Sequence, residues 1–80
     1  MKVLIRYCPV WDGYDEAAQS VSDEITENFN KIDVEILEGD TGEFTVIVGD
    51  DPAHLIFDKS NTNRFPDEKE IVKLLRGKNV

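Results

Sequence analysis

Cys8 is the only cysteine in the sequence and its only thiol nucleophile. It follows the apolar run Val3-Leu4-Ile5-Arg6-Tyr7 and precedes Pro9-Val10-Trp11-Asp12-Gly13. A sulfur at a strand-to-helix turn suits thiol chemistry, because the turn exposes it and a helix start favours the thiolate. A dithiol cycle needs a second cysteine three positions later, and that position is Trp11. One sulfur is still enough to form a mixed disulfide with another molecule. Cys8 is expected to be accessible rather than a small buried hydrophobe, since it sits at a strand end beside Pro9. Its surroundings pull the thiol both ways: the helix start, Arg6, Lys59 and Arg64 lower its pKa, while Asp12, Asp15 and Glu16 raise it. Trp11 has two readings, a plug packed over the loop or an exposed aromatic on a recognition surface.

The other residues capable of chemistry are less promising. His54 is expected at the start of the fourth strand, at the far end of the sheet from Cys8, which argues against a Cys–His dyad or a shared metal and for a surface histidine. Asp58-Lys59-Ser60-Asn61-Thr62-Asn63 has the look of a calcium loop, but it lacks the glycine at position six, and position twelve is Lys69 rather than glutamate. The sequence has no Gly-rich phosphate loop, Ser-His-Asp set or zinc spacing, so no metal or bound cofactor is expected.

The elements that must position Cys8 can be read from periodicity. Residues 2–7 carry apolar side chains on both parities, as a central strand does. Residues 14–29 repeat Tyr14, Ala17, Ala18, Val21, Ile25 and Phe29 at spacings of three and four, the signature of an amphipathic helix. Asp12 is its expected N-cap. Ile32, Val34 and Ile36 alternate with Asp33 and Glu35, and Phe44, Val46 and Val48 alternate with Glu43, Thr45 and Ile47, giving two half-buried strands. Gly49-Asp50-Asp51-Pro52 is read as a tight connection to a fourth strand at Leu55-Ile56-Phe57. Residues 59–65 read as a polar loop. Pro66 and Asp67 open a last helix, with Asp67 and Glu70 at capping-box spacing, Ile71, Val72, Leu74 and Leu75 on its buried face, and Gly77 as its stop.

The order is therefore β-α-β-β-β-α in one α/β domain over residues 1–80. Alternation in three strands means that only one face of the sheet is covered, so both helices lie on the same face. The first two strands flank a helix and should be parallel, with a right-handed crossover. A four-stranded mixed sheet of order 2-1-3-4 results. Residues 38–42 and the loop at 59–65 then join Cys8 at one end, bringing Cys8, Trp11, Thr41 and Arg64 together. The open face, with Asp33, Glu35, Glu43 and Thr45 among Leu4, Leu37, Ile47 and Ile56, is read as solvated or, second, as a dimer or partner surface.

Composition narrows the function classes. Seventeen acidic and nine basic side chains give a net charge of −8, a field that opposes nucleic acid and anionic membranes. One cysteine excludes an internal disulfide. The apolar N-terminal run is too short for a signal peptide and no stretch is long enough to span a bilayer, so a reducing cytoplasm is the expected compartment.

Three short motifs, in order and spacing, resemble the selenoprotein W/Rdx family: Tyr7-Cys8-x-x-Trp11 after a first strand, Thr41-Gly42-Glu43-Phe44 entering a hairpin, and Arg64-Phe65-Pro66-Asp67-Glu68 opening the last helix. The resemblance covers nearly the whole chain. It implies a thioredoxin-like two-layer fold and a small thiol oxidoreductase, some members being linked to glutathione. Members carry C-x-x-C or C-x-x-selenocysteine. Cys8 matches the first position, Trp11 departs from the second, and Gly13-Tyr14 sits one residue later than the Gly-Tyr that often follows. Two readings result. In the first, Cys8 is a catalytic monothiol forming mixed disulfides with a glutathione-like small thiol or a thiol- or disulfide-bearing protein. In the second, the chain is a redox-inactive binding module. In both, Pro9, Val10, Trp11, Thr41, Gly42, Lys59 and Arg64 are the expected substrate- or partner-binding residues.

Overall fold

A computed structural model describes residues 2–49 and 54–78. The chain runs β1 (Lys2–Tyr7), α1 (Tyr14–Asn28), β2 (Asp33–Glu38), β3 (Phe44–Val48), β4 (Leu55–Asp58), α2 (Lys59–Thr62) and α3 (Glu70–Lys78). The sheet has the order β2-β1-β3-β4. β1 is parallel to β2, with Ile5 opposite Ile36, and antiparallel to β3, with Ile5 opposite Val46. β4 returns antiparallel to β3, with a register shift at Val46 and Ile47. The connection expected over residues 49–52 lies largely outside the described residues.

The core forms where the apolar parity of the sheet meets the apolar stripes of α1 and α3. Val3 and Ile5 of β1, Phe44 and Val46 of β3 and Phe57 of β4 are buried against Ala18, Val21 and Ile25 of α1 and Ile71 and Leu75 of α3. On the opposite face Asp33 and Glu35 remain exposed, Lys2 pairs with Glu35 at 3.0 Å and Arg6 with Glu43 at 3.5 Å. The two-layer arrangement with helices on one face is therefore as the alternation demands. Thr45 is an exception: expected on the solvated face, it is buried, its hydroxyl donating to the Glu43 carboxylate at 3.0 Å.

Four local expectations are corrected by backbone geometry. α1 is preceded not by an Asp12 cap but by Gly13, left-handed at φ 86° and without a side-chain cap bond. Only glycine takes that conformation cheaply. The polar stretch after β4 contains the single helical turn α2. Asp58 caps it by accepting from the Ser60 N–H at 2.9 Å, and left-handed Asn63 ends it. α3 begins at Glu70 rather than at Pro66 because Lys69 is itself left-handed at φ 63°. The Glu24 carboxylate of α1 accepts the Lys69 N–H at 2.8 Å, and the Glu70 carboxylate accepts the Asp67 N–H at 2.9 Å, the half of a capping box that the spacing implied. Gly77 does not stop α3, which continues to Lys78.

Phe44 sits at the junction of this core, fully buried, with its ring edge-to-face against both Phe57 and Phe65. Phe44→Ala is expected to cost about 3–5 kcal/mol through lost burial and the cavity left behind. An 80-residue domain holds roughly 4–12 kcal/mol in total, so urea denaturation should show the variant close to unfolding in water. A loss below about 1 kcal/mol would mean that the core closes around the gap.

Candidate functional site

The end of β1 delivers Cys8 to a point where two loops meet. Tyr7, the last residue of β1, accepts the Gly39 N–H at 2.7 Å, which ties the β2–β3 turn to the strand end. That turn is closed by Glu43: its N–H donates to the Asp40 carbonyl at 3.0 Å, and its carboxylate accepts the Asp40 N–H at 2.8 Å. Gly42 consequently stands against Cys8 with a left-handed φ of 79°. Pro9, Val10 and Trp11 form the facing side and are exposed, Val10 by 68% and Trp11 by 52%.

The thiol itself is buried, with 0% of Cys8 exposed, contrary to the accessibility expected of a strand-end residue. Cys8 belongs to the buried cluster that also holds Val3, Ile5 and Phe44, with the backbone of the Gly42 turn beside its sulfur. Burial pushes the Cys8 thiol up, but the backbone amides of Gly42, Val10 and Trp11 around it pull it down, and the balance lies below the ordinary cysteine value. Thiolate is thus favoured by oriented backbone dipoles. The flanking cations and carboxylates, expected from the sequence to set this balance, are not its main determinants.

Gly42 is required here twice over. Its φ suits glycine, and a Cβ at this position would stand 3.1 and 3.3 Å from two atoms of the Trp11 six-membered ring. The indole therefore rests directly on the glycine whose backbone favours the Cys8 thiolate. From Trp11 a chain of edge-to-face rings runs inward: Trp11 to Tyr14 at 5.8 Å, Tyr14 to Phe65 at 4.8 Å and Phe65 to Phe44 at 5.3 Å. Lys59 lies over this chain, its ammonium 5.4 Å from the Tyr14 ring and 5.3 Å from that of Phe65. Tyr14 and Phe65 read in the sequence as core and helix-start residues. Their roles as supports for Trp11 and Lys59 depend on the packing of three separate segments.

The structure brings together Cys8, Pro9, Val10, Trp11, Gly42 and Lys59, with exposed Thr41 on the same turn. It does not bring in the Arg64 guanidinium. That group donates to both Glu70 oxygens at 2.7 and 3.1 Å and to the Phe65 carbonyl at 3.0 Å, and it packs over the Phe57 ring. Arg64 serves the start of α3. His54 is exposed and precedes Leu55, which pairs with Ile47 toward the opposite end of the sheet. Among the described residues no group of three His, Cys, Asp or Glu could hold a metal ion, and no helix is long and apolar enough to cross a membrane.

A model of the Rdx family matches residues 2–77 of the chain. The protein belongs to the Rdx family. Membership implies a thioredoxin-like protein of redox type. No match is found among curated proteins.

Arg64 offers a test that separates this Rdx protein's scaffold from its site. The Arg64 guanidinium, followed by the Asp67 N–H, holds the Glu70 carboxyl below its usual range. A depressed carboxylate stabilises the fold above its unfolded pKa of about 4.3, and that contribution is lost as pH falls through the lower folded value. Both partners are solvated, so the effect is small. Arg64→Gln should lower the melting midpoint slightly at pH 7, the difference from wild type vanishing at strongly acidic pH. Thiol titration followed by alkylation should not move. A shifted thiol midpoint would return Arg64 to the site.

Proposed function

We propose that this protein is a monothiol redox protein that works by disulfide exchange at Cys8. The observation that carries the proposal is the placement of the one sulfur at the end of a central strand, where the backbone of Gly42, Val10 and Trp11 favours its thiolate. Backbone amides stabilise a thiolate without a neighbouring base. The thiolate attacks one sulfur of a disulfide. A Cys8–S–S–R bond forms, the S–S bond of the substrate breaks, and the second sulfur leaves as a thiolate that takes a proton from water. A thiolate from glutathione or a protein then attacks the R sulfur, forming a new disulfide and returning Cys8 as thiolate. No resolving sulfur in the chain is needed, and a reducing cytoplasm would supply the thiol. Pro9, Val10, Trp11, Thr41 and Lys59 form the rim that a substrate meets.

A second reading, a redox-inactive module that recognises a protein partner, draws support from the adjoining exposed side chains of Val10 and Trp11 over a covered sulfur. Exposed tryptophan is a common anchor of contact surfaces. Two measurements decide between them. Under the monothiol reading, alkylation of wild type follows a midpoint below the usual cysteine value of about 8.5. Incubation with oxidised glutathione adds one glutathionyl group by mass, and Cys8→Ala abolishes both reactions. Trp11→Cys should further create a two-electron couple that equilibrates with glutathione, the spacing being that of the family's dithiol. An unreactive wild-type thiol together with a second thiol that will not close would leave the binding module.

A further inference from the structure

The loop after β1 leaves two large apolar side chains in water side by side, Val10 at 68% exposure and Trp11 at 52%. A single exposed apolar residue needs no explanation, but Pro9 is exposed as well, so three consecutive positions form one patch. The patch has a fixed support. Trp11 rests on Gly42 and meets the Tyr14 ring edge-on, and Tyr14 is itself buried. Tryptophan held in this way is a common anchor of contact surfaces.

Charge around the patch has one sign. Asp12 follows Trp11, Asp15 follows Tyr14, Asp40 stands two residues before Gly42, and Glu38 pairs with Tyr7 at the strand end. All four are exposed, and none forms an ion pair with a described residue. The cations nearby are engaged: Arg6 with Glu43, Arg64 with Glu70, and Lys59 over the rings of Tyr14 and Phe65. The Gly42 turn that seats the indole also borders a shallow cleft with Asp40, Thr41, Glu43 and Asp58 in its lining and Arg6 as the only cation there.

We infer that this surface binds a basic segment of a partner protein: an apolar side chain packs on Val10 and Trp11, and a neighbouring lysine or arginine meets the carboxylates of Asp12 and Asp40. Gly42 touches the indole and lines the cleft, so the two contacts suit residues one or two apart in an extended segment, roughly 3–7 Å. Nucleic acid and anionic membrane are repelled by the same rim. The inference goes beyond the thiol reading and does not depend on it. Where the partner carries a disulfide, the rim selects one flanked by cations.

Trp11 is the only tryptophan, so its fluorescence reports on the patch directly. The probes are capped hexapeptides without sulfur, one alternating leucine with arginine and one alternating leucine with glutamate. The arginine peptide should shift Trp11 emission saturably and the glutamate peptide should not. Raising salt from about 10 mM to about 150 mM should weaken binding severalfold. Asp12→Asn with Asp40→Asn keeps the reporter and should raise the dissociation constant about threefold or more, as loss of exposed ion pairs does. Val10→Ala should weaken binding by about threefold through lost apolar contact. Asp33→Asn with Glu35→Gln removes the same charge from β2 and should leave binding almost unchanged. Equal responses to the two peptides overturn the inference. Equal weakening by the two double substitutions does so too, since binding would then follow overall charge. The third overturning result is neither an emission change nor a heat of binding at about 1 mM arginine peptide. Because the peptides carry no sulfur, such failure leaves disulfide exchange at Cys8 untouched. Binding beside an unreactive thiol would sustain the inference and end the monothiol reading.

Discussion

The site depends on a close approach between two segments some thirty residues apart, at Gly42. Its backbone amide favours the Cys8 thiolate, and its bare Cα carries the Trp11 ring. Both contacts need a left-handed turn held at a fixed height above the end of β1, and the sheet supplies that height. β2 is parallel to β1, so its end lies beside the end of β1, and the Gly39 N–H closes onto the Tyr7 carbonyl. The Glu43 carboxylate then fixes the turn from the polar face, where Arg6 and Thr45 hold it. Ladder, turn and side-chain bonds thus converge on the placement of one amide.

Aromatic packing does for the other side of the site what hydrogen bonding does for this one. Tyr14 opens α1 and is buried, so its ring cannot follow Trp11 into solvent. Phe65 joins it to Phe44 in the core, and Lys59 lies across both Tyr14 and Phe65. The turn α2 and the left-handed residues Asn63 and Lys69 shape the segment that carries Lys59 and Phe65. This explains why the chain between β4 and α3 is ordered although polar: Asp58, Thr62, Arg64 and Glu70 satisfy its backbone groups.

The sheet was legible because alternation is a strong signal: Val34 and Ile36, Phe44 and Val46, and the two-sided β1 together dictate strand order and the covered face. The ends of helices were less so. Asp12 is a good cap by type, but Gly13 offers a left-handed turn that no carboxylate can match. Glu24 bonds Lys69 from 45 residues away, so no local pattern could place the start of α3. At the site, residue types pointed to Cys8 and Trp11, but the burial of the sulfur could not be read from them. The Gly42 turn that meets it contributes only backbone there. The same blindness affected Arg64, whose charge pointed to the thiol while its geometry commits it to Glu70.

The open edge of the sheet has a consequence for behaviour at high concentration. β2 is an edge strand, and its unpaired backbone groups are the kind that template edge-to-edge association. Asp33, Glu35 and Glu38 stand exposed along it. Two copies meeting through β2 would set rows of carboxylates against each other, on molecules that already carry eight surplus negative charges. The acidic surplus thus acts locally as well as globally, insulating the longer of the two edge strands among the described residues.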